Sequence, residues 1–345
     1  MADVDEVGER GWGPVGVRPF YESDRLAFFG RETEVDHVTS MLIAEGYVVL
    51  YGRSGTGKTS FVHAGVIPAL SAEGCDVLPV VRFDPSVTRH PLMDADRPRS
   101  PQRRVIIVDQ VEEYFTRQLA SASAREIFLD GIAKLIDEDR RMSVLFSIRE
   151  DFLPRLEEVA DVFPNRMRSR FRLTALSREA ALHALRRTFE FQHISITDEV
   201  GQLLTQRLAD DEGRVEPLML QLSITAIVER MRTMSVEARV EPDFISGLLG
   251  VEGTLQTFFD RAVRMAAEVS RLREKTIKAA IAEQFVTATG FRAQILEEQS
   301  KLPIRALHAL ADARVLRSEL RQGRVFYELA HDLLVPAVRR AIQRR

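Results

Sequence analysis

"YGRSGTGKTS", residues 51–60, follows the β-branched run "YVVLY" (47–51) and opens a helical stretch over 58–70. Gly52, Arg53, Ser54, Gly55, Thr56, Gly57, Lys58 and Thr59 fit the spacing G-x-x-x-x-G-K-[ST], with Ser60 next in line. A strand before the motif and a helix after it are the context it requires. Glycines permit a turn whose successive N–H groups point at a phosphate, and the helix N-terminus adds its dipole. Lys58 is then expected to neutralise β- and γ-phosphate oxygens, and the Thr59 hydroxyl to ligate magnesium. The stretch predicts a phosphate-binding loop with ATP or ADP and Mg2+ as its ligands.

Outward from that loop, further β-branched runs recur at 76–83, 104–109, 142–148 and 170–176, with helical segments between most of them. This alternation predicts a parallel sheet of about five strands with crossover helices. The exception is 84–104, rich in Pro and Arg, which reads as a loop. A helix carrying Val35, Val38, Met41 and Leu42 at helical spacing precedes the sheet. After Leu176 helices take over: "SREAALHALRRTFEF", "TDEVGQLLTQRLAD" and "PLMLQLSITAIVERMR" have Ser, Thr or Glu-Pro entries. In the last hundred residues, helices precede an alternating run folded at Gln322-Gly323, the pattern of a winged helix. The expected division is a flexible segment 1–18, a nucleotide-binding α/β domain 19–176, a helical domain 177–248 and a winged-helix domain 249–345.

"VIIVDQVEEYF" supplies a second piece of chemistry: a buried strand ending in Asp109, able to hold a magnesium water shell beside the loop. The run 76–83 lies between the loop and this strand in sequence, a spacing that points to the extra-strand division of P-loop ATPases. Gln110 follows, an amide that accepts no proton, which leaves Glu112 and Glu113 as alternative general bases and predicts slow hydrolysis. Arg149 ends the next strand, where a guanidinium could sense a γ-phosphate. Pro217, at a helix start, is ordinary first-turn chemistry, yet it could also pack flat on an adenine. His331 in "ELAHDLL", read without a motif, is a satisfied core histidine.

Composition narrows the rest. The 345 residues carry a formal charge of −3, so no global field draws the chain to nucleic acid or anionic lipid. Cys75 is the single cysteine, which excludes an intrachain disulfide. No apolar run approaches the roughly 20 residues of a membrane span, and the acidic start lacks a leader's apolar core, so the expected compartment is the cytoplasm.

Together these residues resemble the STAND class of signal-transduction ATPases, relatives of the NLR and apoptosome switches. The likeness is to the bacterial branch called novel STAND NTPase 1, over about residues 17–340. "RPFYESDRLAFFGRE" is similar to its entry motif, "VIIVDQVEEYFT" to its magnesium strand, "SIREDFLPRL" to its sensor-Arg segment, "EPLMLQL" to its adenine-side proline and "YELAHDLLVPAV" to its late histidine. The resemblance implies that Phe29, Gly30 and Arg31 lie along the adenine, with Pro217 stacked there. It implies that His331 reaches the β-phosphate of ADP and locks a closed state. Two departures stand out: a short polar 84–104 segment, and Glu216 where an apolar residue usually precedes the proline. The resemblance further implies a switch in bacterial defence or stress signalling, closed with ADP and homo-oligomeric with ATP. Its effector and sensor, domains or separate proteins, are not legible in these residues. The alternatives are an initiator- or transposition-type ATPase whose winged helix reads DNA, and a scaffold that binds nucleotide without hydrolysis. Against DNA, "PIRALHALADA" offers one Arg and one His but no cluster of phosphate-reaching cations.

Overall fold

Five strands form one all-parallel sheet: β1 (Tyr47–Gly52), β2 (Asp76–Val77), β3 (Arg104–Val108), β4 (Met142–Arg149) and β5 (Arg170–Arg172). The computed structural model describes residues 18–83, 102–116, 122–139, 141–159, 163, 168–234, 239–242, 245, 251–321, 324–331 and 333–343. The sequence-predicted features in 1–17, in 84–101 and at Gln322-Gly323 lie outside these residues. The spatial order is β2-β3-β4-β1-β5, so β4 is inserted between the strand that enters the glycine-rich loop and the strand that ends at Asp109. This is the extra-strand order that the sequence spacing predicts.

Both faces of the sheet are covered, as a parallel sheet requires. Val48, Leu50, Val105, Ile107 and Leu145 point to one apolar cluster, while Val49, Ile106, Val108, Val144 and Phe146 point to the other. The alternation along each strand sends neighbouring side chains to opposite faces. The run 76–83 forms a regular strand only over Asp76–Val77 and returns to the sheet at an isolated Val81–Val108 bridge. Pro79 lies in the gap and has no N–H to offer the ladder. The run 170–176 is also cut short. After Arg172 the chain leaves the parallel sheet, and Leu176–Ser177 pairs antiparallel with Arg214–Val215.

Helix Arg178–Phe191 begins where Ser177 Oγ accepts a hydrogen bond from the Ala180 N–H at 3.1 Å. Helix Asp198–Leu208 begins in the same way at Thr197. Each cap satisfies an otherwise orphaned helix-end donor and contributes about 1 kcal/mol. Helix Pro217–Met234 follows, and then the long helix Val251–Ser270. The C-terminal part contains helices Glu274–Gln284 and Ile304–Asp312 and the antiparallel pair Leu316–Arg321 and Arg324–Leu329, joined by Ile295–Leu296 in a three-stranded sheet. Helix Leu334–Gln343 follows the pair. A single apolar core runs through all of this: Leu185, Ile224, Phe259, Ile281, Leu310 and Val338 belong to one cluster. Among the described residues, no helix is long and apolar enough to cross a membrane.

Candidate functional site

The glycine-rich loop leaves β1 at Gly52, in register with Arg149 at the end of β4. Gly55 and Gly57 take φ values of +91° and +86°, which L side chains rarely adopt. The next turn is helical over Lys58–Ser60 and continues through the π-helical stretch Phe61–Val66 into Ile67–Ala72. The loop therefore ends on a helix N-terminus. Thr56 is buried, and its hydroxyl donates to the Arg53 carbonyl at 3.0 Å, which braces the turn from within. Ser54 lines the cavity above the loop, and Ser60 Oγ accepts the Phe20 N–H at 3.1 Å, tying the entry segment to the first helical turn.

Lys58 Nζ donates to the Gly52 carbonyl at 2.9 Å and to that of Arg53 at 3.1 Å. Burial lowers the pKa of its ammonium, opposed chiefly by the nearby negative charges of Glu112 and Asp109. Asp109 is 1% exposed, and its Oδ2 accepts the Thr59 hydroxyl at 3.2 Å and the Arg82 guanidinium at 2.9 Å. Glu112 Oε2 accepts the Arg149 N–H at 3.2 Å, and burial raises the pKa of its carboxyl. Glu113 is buried one residue further on. The Arg149 side chain makes a two-pronged ion pair with Asp151 at 3.0 and 2.7 Å. Gln110 holds a left-handed φ of 58° between the acidic groups. Such a conformation costs a non-glycine residue about 1 kcal/mol or more. Gln110→Gly is therefore expected to be more stable by about 1 kcal/mol in a denaturant titration. A loss of stability would show instead that the amide side chain is needed.

The far wall of the cavity, whose volume is about 970 Å³, is built from the C-terminal half of the chain. His331 packs against Gly55 so closely that a Cβ there would overlap the ring at Nε2 and Cε1. The absence of a side chain at 55 is thus what admits the histidine. His331 Nδ1 accepts the Leu333 N–H at 3.1 Å. A ring nitrogen that accepts carries no proton, so in the neutral ring Nε2 bears the N–H that faces the loop. Pro217, the first residue of its helix, approaches Gly57: a Cβ there would lie 3.8 Å from the proline Cγ. Phe29 also lines the cavity, edge-on to Phe191 at 6.4 Å, with the Arg187 guanidinium 5.3 Å from its ring centroid.

Gly30 and Arg31 have jobs of packing and bracing. A Cβ on Gly30 would stand 2.7 Å from the Ala180 carbonyl oxygen and 2.9 Å from Ala184 Cβ, so this glycine lets the entry segment press on helix Arg178–Phe191. Arg31 is buried and donates to the carbonyls of Thr174 at 2.6 Å and Thr56 at 3.4 Å, and to Glu34 at 2.8 Å. Its guanidinium holds the loop to the end of the sheet. Burial raises the Glu216 carboxyl, opposed by the charges of Arg53 and Arg31. One residue escaped sequence reasoning: Arg82, second to last in the run 76–83. The available signal was an Arg near the end of a stretch beside a strand that itself ends in a carboxylate.

The donor set suits a magnesium nucleotide. Two side-chain oxygens of Thr59 and Asp109 stand together, and among the described residues no group of three or more His, Cys, Asp or Glu side chains could hold a metal unaided. A hard oxygen-seeking ion shared with phosphates is the chemistry such a pair serves.

Glycine-rich loop, strand-end Asp and extra-strand sheet define a P-loop NTPase of the extra-strand division. The chain belongs to the novel STAND NTPase 1 family, whose model it matches over residues 15–341. No curated protein matches it. Among solved structures it is similar to the Orc1 protein of Aeropyrum pernix in complex with DNA, at 14% identity over 92% of each chain and a TM-score of 0.47. It is also similar to the Thermotoga maritima RuvB Holliday junction branch migration motor, at 16% identity over 90% of this chain and 95% of that one, with a TM-score of 0.47. The Aeropyrum pernix Orc2 protein in its ADPNP-ADP complexes gives 12% identity over 97% and 96%, with a TM-score of 0.48. At that distance none of these likenesses bears on what this chain does.

Proposed function

We propose that the chain is a nucleotide-dependent signalling switch, closed with ADP and assembling into homo-oligomers with ATP. It hydrolyses ATP slowly and acts on an effector in response to a sensor, both supplied by other domains or proteins. The observation that carries this reading is the His331 ring seated on Gly55, 276 residues apart in sequence, with its Nε2–H turned to the phosphate loop. Only a fold-back of the C-terminal part brings such a group there, and a bond to a phosphate would make that fold-back depend on the nucleotide. In this reading 177–248 is the helical domain and 249–345 the winged helix that carries the latch. Phe29 and Pro217 flank the base, and the loop amides with Lys58 take the phosphates. Thr59 and Asp109 would hold Mg2+, which neutralises phosphate charge when bound. The mass distribution of the purified protein with ADP and with a non-hydrolysable ATP analogue tests the switch. Monomer with ADP and larger species with the analogue are expected, and an unchanged distribution refutes it.

Glu112 is the better placed of the two candidate bases. Its charge acts on Lys58, and its carboxyl, raised by burial, can take a proton at a higher pH than an ordinary glutamate. Glu112→Gln should lower the single-turnover hydrolysis rate by about a hundredfold or more, with Glu113→Gln closer to the parent. The parent rate should fall with decreasing pH through a midpoint above the ordinary value of about 4.3. Stability carries the opposite sign. A carboxyl whose folded pKa is raised weakens the fold as pH rises through that pKa, and it costs nothing below its unfolded value. Glu112→Gln should therefore melt higher than the parent at neutral pH, and the difference should vanish below about pH 4. Unchanged rates in both single mutants and in the double mutant would remove the carboxylates from the mechanism.

A further inference from the structure

Asp109 Oδ2 already faces a cation. The Arg82 Nη2 lies 2.9 Å away, on the same oxygen that takes the Thr59 hydroxyl. The backbone places this arginine deliberately close: the Val81 N–H donates to the Ile107 carbonyl at 2.8 Å, and the Asp109 N–H donates to the Val81 carbonyl at 2.9 Å. Residue 82 therefore begins beside the carboxylate whatever its side chain does. The two partners differ in freedom. Asp109 is 1% exposed, whereas the Arg82 side chain is 43% exposed and lines the cavity, so its tip has room to leave. A buried carboxylate without a counter-charge is strongly unfavourable, and a guanidinium and a divalent ion at one carboxylate repel each other.

We propose that Arg82 is a built-in competitor for the magnesium position, a resident cation that neutralises Asp109 until Mg2+ arrives and so sets the Mg2+ concentration at which magnesium nucleotide binds. The inference rests on the reading that Thr59 and Asp109 hold the metal. It gives the arginine a positioning role at the metal site, and metal-free nucleotide can then bind without stranding a buried negative charge.

The test is a Mn2+ titration of the full chain with ADP. Bound Mn2+ is followed by the loss of the free-ion electron paramagnetic resonance signal, and ADP affinity by calorimetry at each metal concentration. Arg82→Gln and Arg82→Met should lower the Mn2+ midpoint about tenfold, and Arg82→Lys, which keeps the charge, should stay near the parent. An unchanged or raised midpoint in both neutral variants overturns the proposal. So does a loss of ADP affinity at saturating Mn2+, which would make Arg82 a phosphate ligand instead. Asp109→Asn separates the two levels of the reading. It should abolish the response of the midpoint to residue 82, whereas a parent-like Mn2+ dependence in Asp109→Asn would overturn the metal assignment itself.

Discussion

His331→Ala should release ADP about ten- to a hundredfold faster than the parent while keeping a near-normal melting temperature. The imidazole Nε2–H faces a glycine with no side chain, in the loop whose amides would receive the phosphates, and its tautomer is held by the Leu333 N–H. A hydrogen bond from that N–H to a charged phosphate oxygen contributes roughly 1.5–3 kcal/mol. Because the bond exists only when the C-terminal part is folded back, its loss shifts the closed–open equilibrium by the corresponding factor. The open, assembly-prone fraction should rise with it. A histidine that serves only the core predicts the reverse pattern: a lower melting temperature and an ADP dissociation rate that does not change. Both quantities are measured on one sample, and normal release from a destabilised protein refutes the latch.

Lys58→Ala should weaken ADP and ATP binding by an order of magnitude or more. Its ammonium is desolvated and sits on the carbonyls of Gly52 and Arg53, at the mouth of the loop whose N–H groups would receive the phosphates. Hydrogen bonds to an ionised partner are about twice as strong as neutral ones, and here donor and acceptor would both be charged. A tenfold loss of affinity also lowers the stabilisation by saturating ADP by about 1.4 kcal/mol, so the thermal shift on adding nucleotide should shrink with the calorimetric affinity. The nucleotide-free protein should lose little, since the substitution removes a charge that burial already disfavours. Full ATP affinity in the mutant would overturn the assignment of the loop.

Much of the α/β half is legible because its signals are local. A glycine-rich loop between a β-branched run and a helix needs nothing outside residues 47–70, and the alternation of strand and helix segments follows from periodicity alone. The caps at Ser177 and Thr197 are similarly local, one side chain meeting an N–H three residues on. Where reading from sequence overshot, the cause was also local but outweighed. The run 76–83 is rich in β-branched residues, yet Pro79 breaks its ladder, and 170–176 ends its pairing early because Leu176–Ser177 finds an antiparallel partner in Arg214–Val215. Arg82 went unread because its meaning depends on a neighbour 27 residues away.

By itself the sequence determined the class of chemistry: a phosphate loop and a strand-end Asp109, each set by residue type and spacing within one element, with a spacing of strands that points to the extra-strand division. Only the tertiary structure decided which side chains share the cavity. Arg31, expected beside a base, lines the cavity and donates to the Thr56 and Thr174 carbonyls, and His331 is set against Gly55. The helices after 176 and the C-terminal strands share one core cluster, a union that no local pattern announces. The physical reason is the range of the forces. Backbone propensity and capping act over a few residues, whereas ion pairs, buried apolar surface and the room left by a missing Cβ exist only once distant segments have met.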